Sequence, residues 1–145
     1  MAFSDYLNLS VNFFSIFLAA VAYFLLGMFW YSETLFGSTW KNKGNIGVTK
    51  FSQVRLYASL ICEFILDLVT ALVLSLFIAM ANTSGSRGGM LVGLWAWIGF
   101  TGAPQLLGVI WSHKSFKSFL IHSGFVLIGL LLMGAIIGYI NDYSF

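Results

Sequence analysis

The sequence predicts an all-α fold: a polytopic membrane protein built as a bundle of four transmembrane helices. Three observations carry this. The chain is 59% hydrophobic and only 8% charged, against roughly 25% charged in a soluble domain. Four apolar runs, at residues 11–31, 56–81, 90–111 and 119–140, each supply the roughly 20 residues a helix needs to cross a bilayer. In lipid a backbone amide has no water to bond, so each run must close its hydrogen bonds as a helix. Together they form a single transmembrane domain over residues 1–145, with no length left for a soluble one.

The first run is read as an uncleaved span. No Lys or Arg precedes it, and apolar sequence continues past the small residues Ala20-Val21-Ala22 to Trp30. Ser32 then caps a short interfacial segment at about 33–42, which turns Leu35, Phe36 and Trp40 toward lipid. The second run carries two acids, discussed below. "NTSGSRGG" (82–89) reads as a tight polar turn into the third run. There Pro104 cannot bond the carbonyl of Phe100, so a kink is expected among Gly99, Gly102 and Gly108. In the fourth run Gly134 and Gly138 form Gly-x-x-x-Gly, with Gly124 and Ala135 read on nearly the same face. Such small residues let backbones approach, within one chain or between subunits.

Basic residues set the expected orientation. Lys41, Lys43, Lys50 and Arg55 lie in the first connection, Lys114 and Lys117 in the third, and Arg87 alone on the opposite side. Loops 32–55 and 112–118 should therefore be cytoplasmic and both termini outside, in a bacterial inner (plasma) membrane. Trp30, Tyr31, Trp40, Tyr57 and Trp111 fit an inner aromatic belt, and Tyr6, Trp95, Trp97, Tyr139 and Tyr143 an outer one. A formal charge of +2 gives no reason to expect a nucleic-acid partner. One cysteine, Cys62, excludes an intrachain disulfide and reads as a small packed residue.

Two stretches carry a family likeness. Trp30-Tyr31-Ser32, Leu35-Phe36-Gly37 and Trp40 form one; Phe119-Leu120-Ile121, Gly124 and Met133-Gly134-Ala135-Ile136 form the other. They resemble the two ends of the "domain of unknown function 1761" family, small bacterial membrane proteins with four spans. The family usually has proline after Tyr-Ser, where this chain has Glu33. The resemblance implies a fold and a membrane location; it implies no catalytic residue and no cofactor.

The acids Glu63 and Asp67 are the candidate site. Arg55, Ser59, Glu63, Asp67 and Thr70 share a stripe about 120° wide, polar only in the half nearer Arg55. An Asp at the centre of a span costs about 2.5–3.5 kcal/mol, against about 0.3–0.6 gained per Leu, Ile, Val or Phe. The fourteen such residues in Leu56–Met80 return roughly 4–8 kcal/mol on that scale. Two acids nearly cancel this, so the helix needs protein or water on its polar face. Like charges one turn apart in low dielectric resist joint ionisation, so at least one of the pair should be protonated at neutral pH unless a cation is bound.

Glu33, Gln105 and His122 are placed at comparable or shallower depth and join Glu63 and Asp67 as candidates for ion, proton or solute contact. The pattern suggests an inward-facing acidic recess. Two alternatives stand beside it: acids that lock helix packing, and acids that pair with a membrane partner of which this chain is an accessory or structural subunit. So small a chain is expected to work as a homo-oligomer or with a membrane protein partner. No nucleophile elbow, phosphate loop, metalloprotease pattern or nicotinamide fingerprint is present, and the histidines match no zinc spacing. The expectation is therefore a non-enzyme with no metal and no cofactor.

Overall fold

A computed structural model describes residue 5, residues 11–36 and residues 53–143 of the chain. Four helices long and apolar enough to cross a membrane account for nearly all of these: α1 (Phe13–Trp30), α2 (Gln53–Met80), α3 (Gly85–Ser112) and α4 (Phe116–Tyr143). Among the described residues there is no strand. The protein is an all-helical bundle of four candidate spans.

Each boundary has a local cause. Asn12 caps α1, its Oδ1 accepting from the amides of Phe14 and Ser15 at 3.1 and 3.4 Å. The helix ends at Trp30 with no proline after Tyr31-Ser32. Instead the Ser32 hydroxyl donates to the Phe29 carbonyl at 2.6 Å and lies 2.6 Å from the Thr34 hydroxyl. Residues 33–36 of the expected interfacial segment follow as turns, and residues 37–42 lie outside the described residues. Asn82 and His113 both take left-handed backbone, with φ of 49° and 50°, at the tight turns that precede and follow α3.

The third helix begins earlier than its sequence suggests. Gly85–Gly89, expected within a turn, are helical. Intrinsic propensity disfavours glycine in a helix, but packing overrides it here. Gly85, Gly89 and Gly93 repeat every four residues and face Gly138, Gly134 and Leu130 on α4. A Cβ on Gly89 or Gly134 would run into the backbone of the other, and one on Gly138 would strike the Gly85 carbonyl. The Gly-x-x-x-Gly contact is therefore internal to the chain, and two helices supply it. Gly124 lies about 80° around α4 from Gly134 and packs on Trp30 of α1. The small residues of α4 thus serve two neighbours.

Pro104 does change α3, through a π turn at Ile98–Gly102 rather than a simple bend. The Ala103 amide bonds the Ile98 carbonyl five residues back. Gly102 is buried at this turn against the ring of Trp97. Trp97 does not join an outer belt. It sits about 18 Å along α3 from Gly85 at 1.5 Å per residue, and its Nε1 donates to the Ser123 carbonyl of α4 at 2.9 Å.

Helix α4 is central. It packs against α3 along the glycine seam and against α1 on its other side, while α2 packs mainly on α1. The core is a cluster of Ile16, Ala19 and Ala20 of α1, Ala71, Leu74 and Ile78 of α2, and Leu130, Met133 and Ile137 of α4. Helices α2 and α3 meet only lightly. Between them opens an apolar cleft of about 400 Å³, lined by Val73, Phe77, Phe100 and Leu130 and by two hydroxyls, Thr70 and Thr101.

Candidate functional site

The polar stripe of α2 divides once the helices pack. Asp67 turns into the bundle and is buried, at 6% exposure. Its Oδ2 has no hydrogen-bond partner among the described residues. Glu63, one turn nearer Arg55, is exposed. Ser59 and Thr70 do not help either acid, because their hydroxyls donate to their own helix, at the carbonyls of Arg55 and Leu66, both at 2.9 Å. Thr70 instead faces the α2–α3 cleft. Cys62, expected in packing, is exposed on α2.

Helix α1 supplies the facing wall. Glu63 comes close to Gly27, where an added Cβ would lie 3.8 Å from Glu63 Oε1 and 3.4 Å from the Phe125 ring. Gly27 thus opens the space that the carboxylate enters. Tyr23, one turn back along α1, is within electrostatic reach of both Asp67 and Glu63. Its ring is held at 5.0 Å from that of Phe125 and lies directly on Gly129, where any Cβ would collide with it. Tyr31 lies one turn beyond Gly27. The Tyr31 hydroxyl lies 2.9 Å from Nδ1 of His122 on α4.

From mid-span toward the end that carries Arg55 and Lys114, α2 presents Asp67 and then Glu63, and the Tyr31–His122 pair closes the corner between α1 and α4. Phe125 is the wedge in this array, between Tyr23 and the Tyr31 ring 5.4 Å away. Trp30 steadies the same corner, donating to the Ile121 carbonyl at 3.1 Å. Asp67 is buried with Oδ2 unpartnered among the described residues, and a second carboxylate, Glu63, lies one turn away on the same helix. That is a place for a proton or a cation, since a desolvated acceptor left unmatched is costly.

The sequence candidates separate into groups. Glu63 and Asp67 stand together. Gln105 and His122 share a different cavity, between α3 and α4, with Lys114. Tyr31 links the groups through His122. Glu33 lies in the exposed turn after α1. Pro104 borders the α3–α4 cavity. Tyr23, Gly27 and Phe125 were not expected in the site. The available signal was the spacing of Tyr23, Gly27 and Tyr31, four apart and hence on one face of α1. Among the described residues no group of three or more His, Cys, Asp or Glu side chains is placed to hold a metal ion.

Four candidate spans around a polar intramembrane site define a polytopic integral membrane protein. The chain belongs to the family described as "Protein of unknown function (DUF1761)", whose family model matches residues 14–138, from the start of α1 almost to the end of α4. No curated protein and no solved structure matches it.

Proposed function

We propose that the protein handles protons, cations or small polar solutes through an acidic recess formed by Glu63 and Asp67. The observation that carries this is Asp67: buried near the middle of α2, with Oδ2 unpartnered among the described residues and Glu63 one turn away. Ionisable groups inside a membrane segment are costly and are functional candidates for that reason. Exposed Glu63 is the entry and Asp67 the inner station, with Tyr23 on the α1 wall. The basic connections argue for a cytoplasmic mouth at the Arg55 end. Purified protein in liposomes, carrying an internal pH dye or a cation indicator, tests the reading. Flux that is abolished in Asp67→Asn and reduced in Glu63→Gln supports it; equal flux in wild type, both variants and empty liposomes rejects it.

A second reading has its own observation. Helix α2 lies at the rim of the bundle with Ser59, Cys62 and Glu63 exposed along it. A partner helix bearing Lys or Arg would match Glu63, making this chain an accessory subunit. Cross-linking from the native Cys62 in membranes tests it, because a partner on that face is captured in wild type and lost in Glu63→Gln.

A further inference from the structure

A second polar site lies outside the acidic recess, where α3 and α4 part at their basic ends. It is a cavity of about 390 Å³ whose polar lining is Gln105, Lys114, Ser118 and His122. The left-handed turn at His113 sends the chain back on itself, and the Lys114 stem lies over Gly108, its Cδ 3.8 Å from where a Cβ would stand. Gly108 is one turn inside the end of α3. A lysine near a span end usually extends toward water; this one folds inward along the helix.

Among the described residues no carboxylate lines the cavity beside it: the chain holds five acids, Asp5, Glu33, Glu63, Asp67 and Asp142, and none of them is part of the lining. Gln105, Ser118 and His122 add hydrogen-bonding groups around the ammonium. By sequence, the first and third connections hold six of the seven Lys and Arg residues. The remaining wall is apolar, with Phe119 and Val109, and it adjoins the exposed Leu107 and Ile110 on the outside of α3. A charged head bounded by a greasy wall fits an amphiphile.

We propose that this cavity binds the phosphate of an anionic phospholipid, with Lys114 as its cation and the acyl chains lying along the outside of α3. Basic pockets between spans are suited to such headgroups. Native mass spectrometry of the purified protein with phosphatidylglycerol and with phosphatidylcholine tests it. Wild type should retain phosphatidylglycerol preferentially. Lys114→Gln should lower that preference about fivefold, the order expected for one basic residue at an anionic surface. Gly108→Leu keeps every charge and fills the cavity, and should lower it as well. Lys117→Gln, outside the lining, should keep it. An equal loss in Lys117→Gln would overturn the proposal in favour of diffuse surface charge. Absence of preference in wild type overturns it too, as does displacement of the lipid by inorganic phosphate at equal concentration.

Discussion

The hydroxyl of Tyr31 and Nδ1 of His122 stand 2.9 Å apart, joining the end of α1 to the first turns of α4. A hydrogen bond of this kind contributes about 0.5–1.5 kcal/mol net. Tyr31→Phe and His122→Ala should each lower thermal stability in detergent. The double variant should show a coupling of about 0.5–1 kcal/mol in a mutant cycle. Strict additivity of the two changes would mean that the bond does not hold the helices together.

Asp67→Leu should separate stability from flux. Asp67→Leu removes about 2.5–3.5 kcal/mol of insertion cost and adds a gain of about 0.3–0.6. An insertion assay on isolated α2 should therefore favour the variant by roughly 3–4 kcal/mol, and the full protein should accumulate at least as well as wild type. Flux should nevertheless vanish. A variant that inserts less well than wild type would show that Asp67 is needed for packing.

Gly27 controls the space beside Glu63. Gly27→Ala brings a methyl to ordinary contact distance, 3.4 Å from Phe125 and 3.8 Å from Glu63, and should leave folding and flux near wild type. Gly27→Leu should fill the recess and stop flux while helix content by circular dichroism holds. Full flux in Gly27→Leu would place the pathway elsewhere.

The α3–α4 seam should be the least forgiving part of the fold. Gly89→Ala and Gly134→Ala each put a methyl into backbone, where no rotamer change relieves it. Each should cost about 2 kcal/mol or more, in line with overpacked interiors. Gly99→Ala meets nothing within 4 Å and should be neutral. Thermal unfolding in one detergent would rank the three.

The four spans were legible because lipid demands long apolar runs whatever their packing. Side-chain partnerships were less so. Gly134 and Gly138 announced a close contact, yet the matching glycines of α3 sat in a stretch that composition reads as a turn. Pro104 announced an irregularity, while its π form depends on how Gly102 and Trp97 settle against each other. Gln105 was grouped with the acids by depth alone; direction around the helix puts it beside Lys114 instead. Tyr23 carries no signal of its own in an apolar helix, because its placement needs Gly129, more than a hundred residues away, to leave room for its ring.

That last dependence has a consequence for how the protein is made. Tyr23 rests on Gly129, and α4 is the last of the four helices to leave the ribosome. While α2 enters the membrane, Asp67 has α1 beside it but not the helix that fixes the phenol. The acid-bearing helix should therefore be weakly committed until the final helix docks. A chain stopped after α3 lacks the Tyr23–Gly129 contact, and its α2 should be cleaved by membrane proteases faster than α2 of a chain that carries α4.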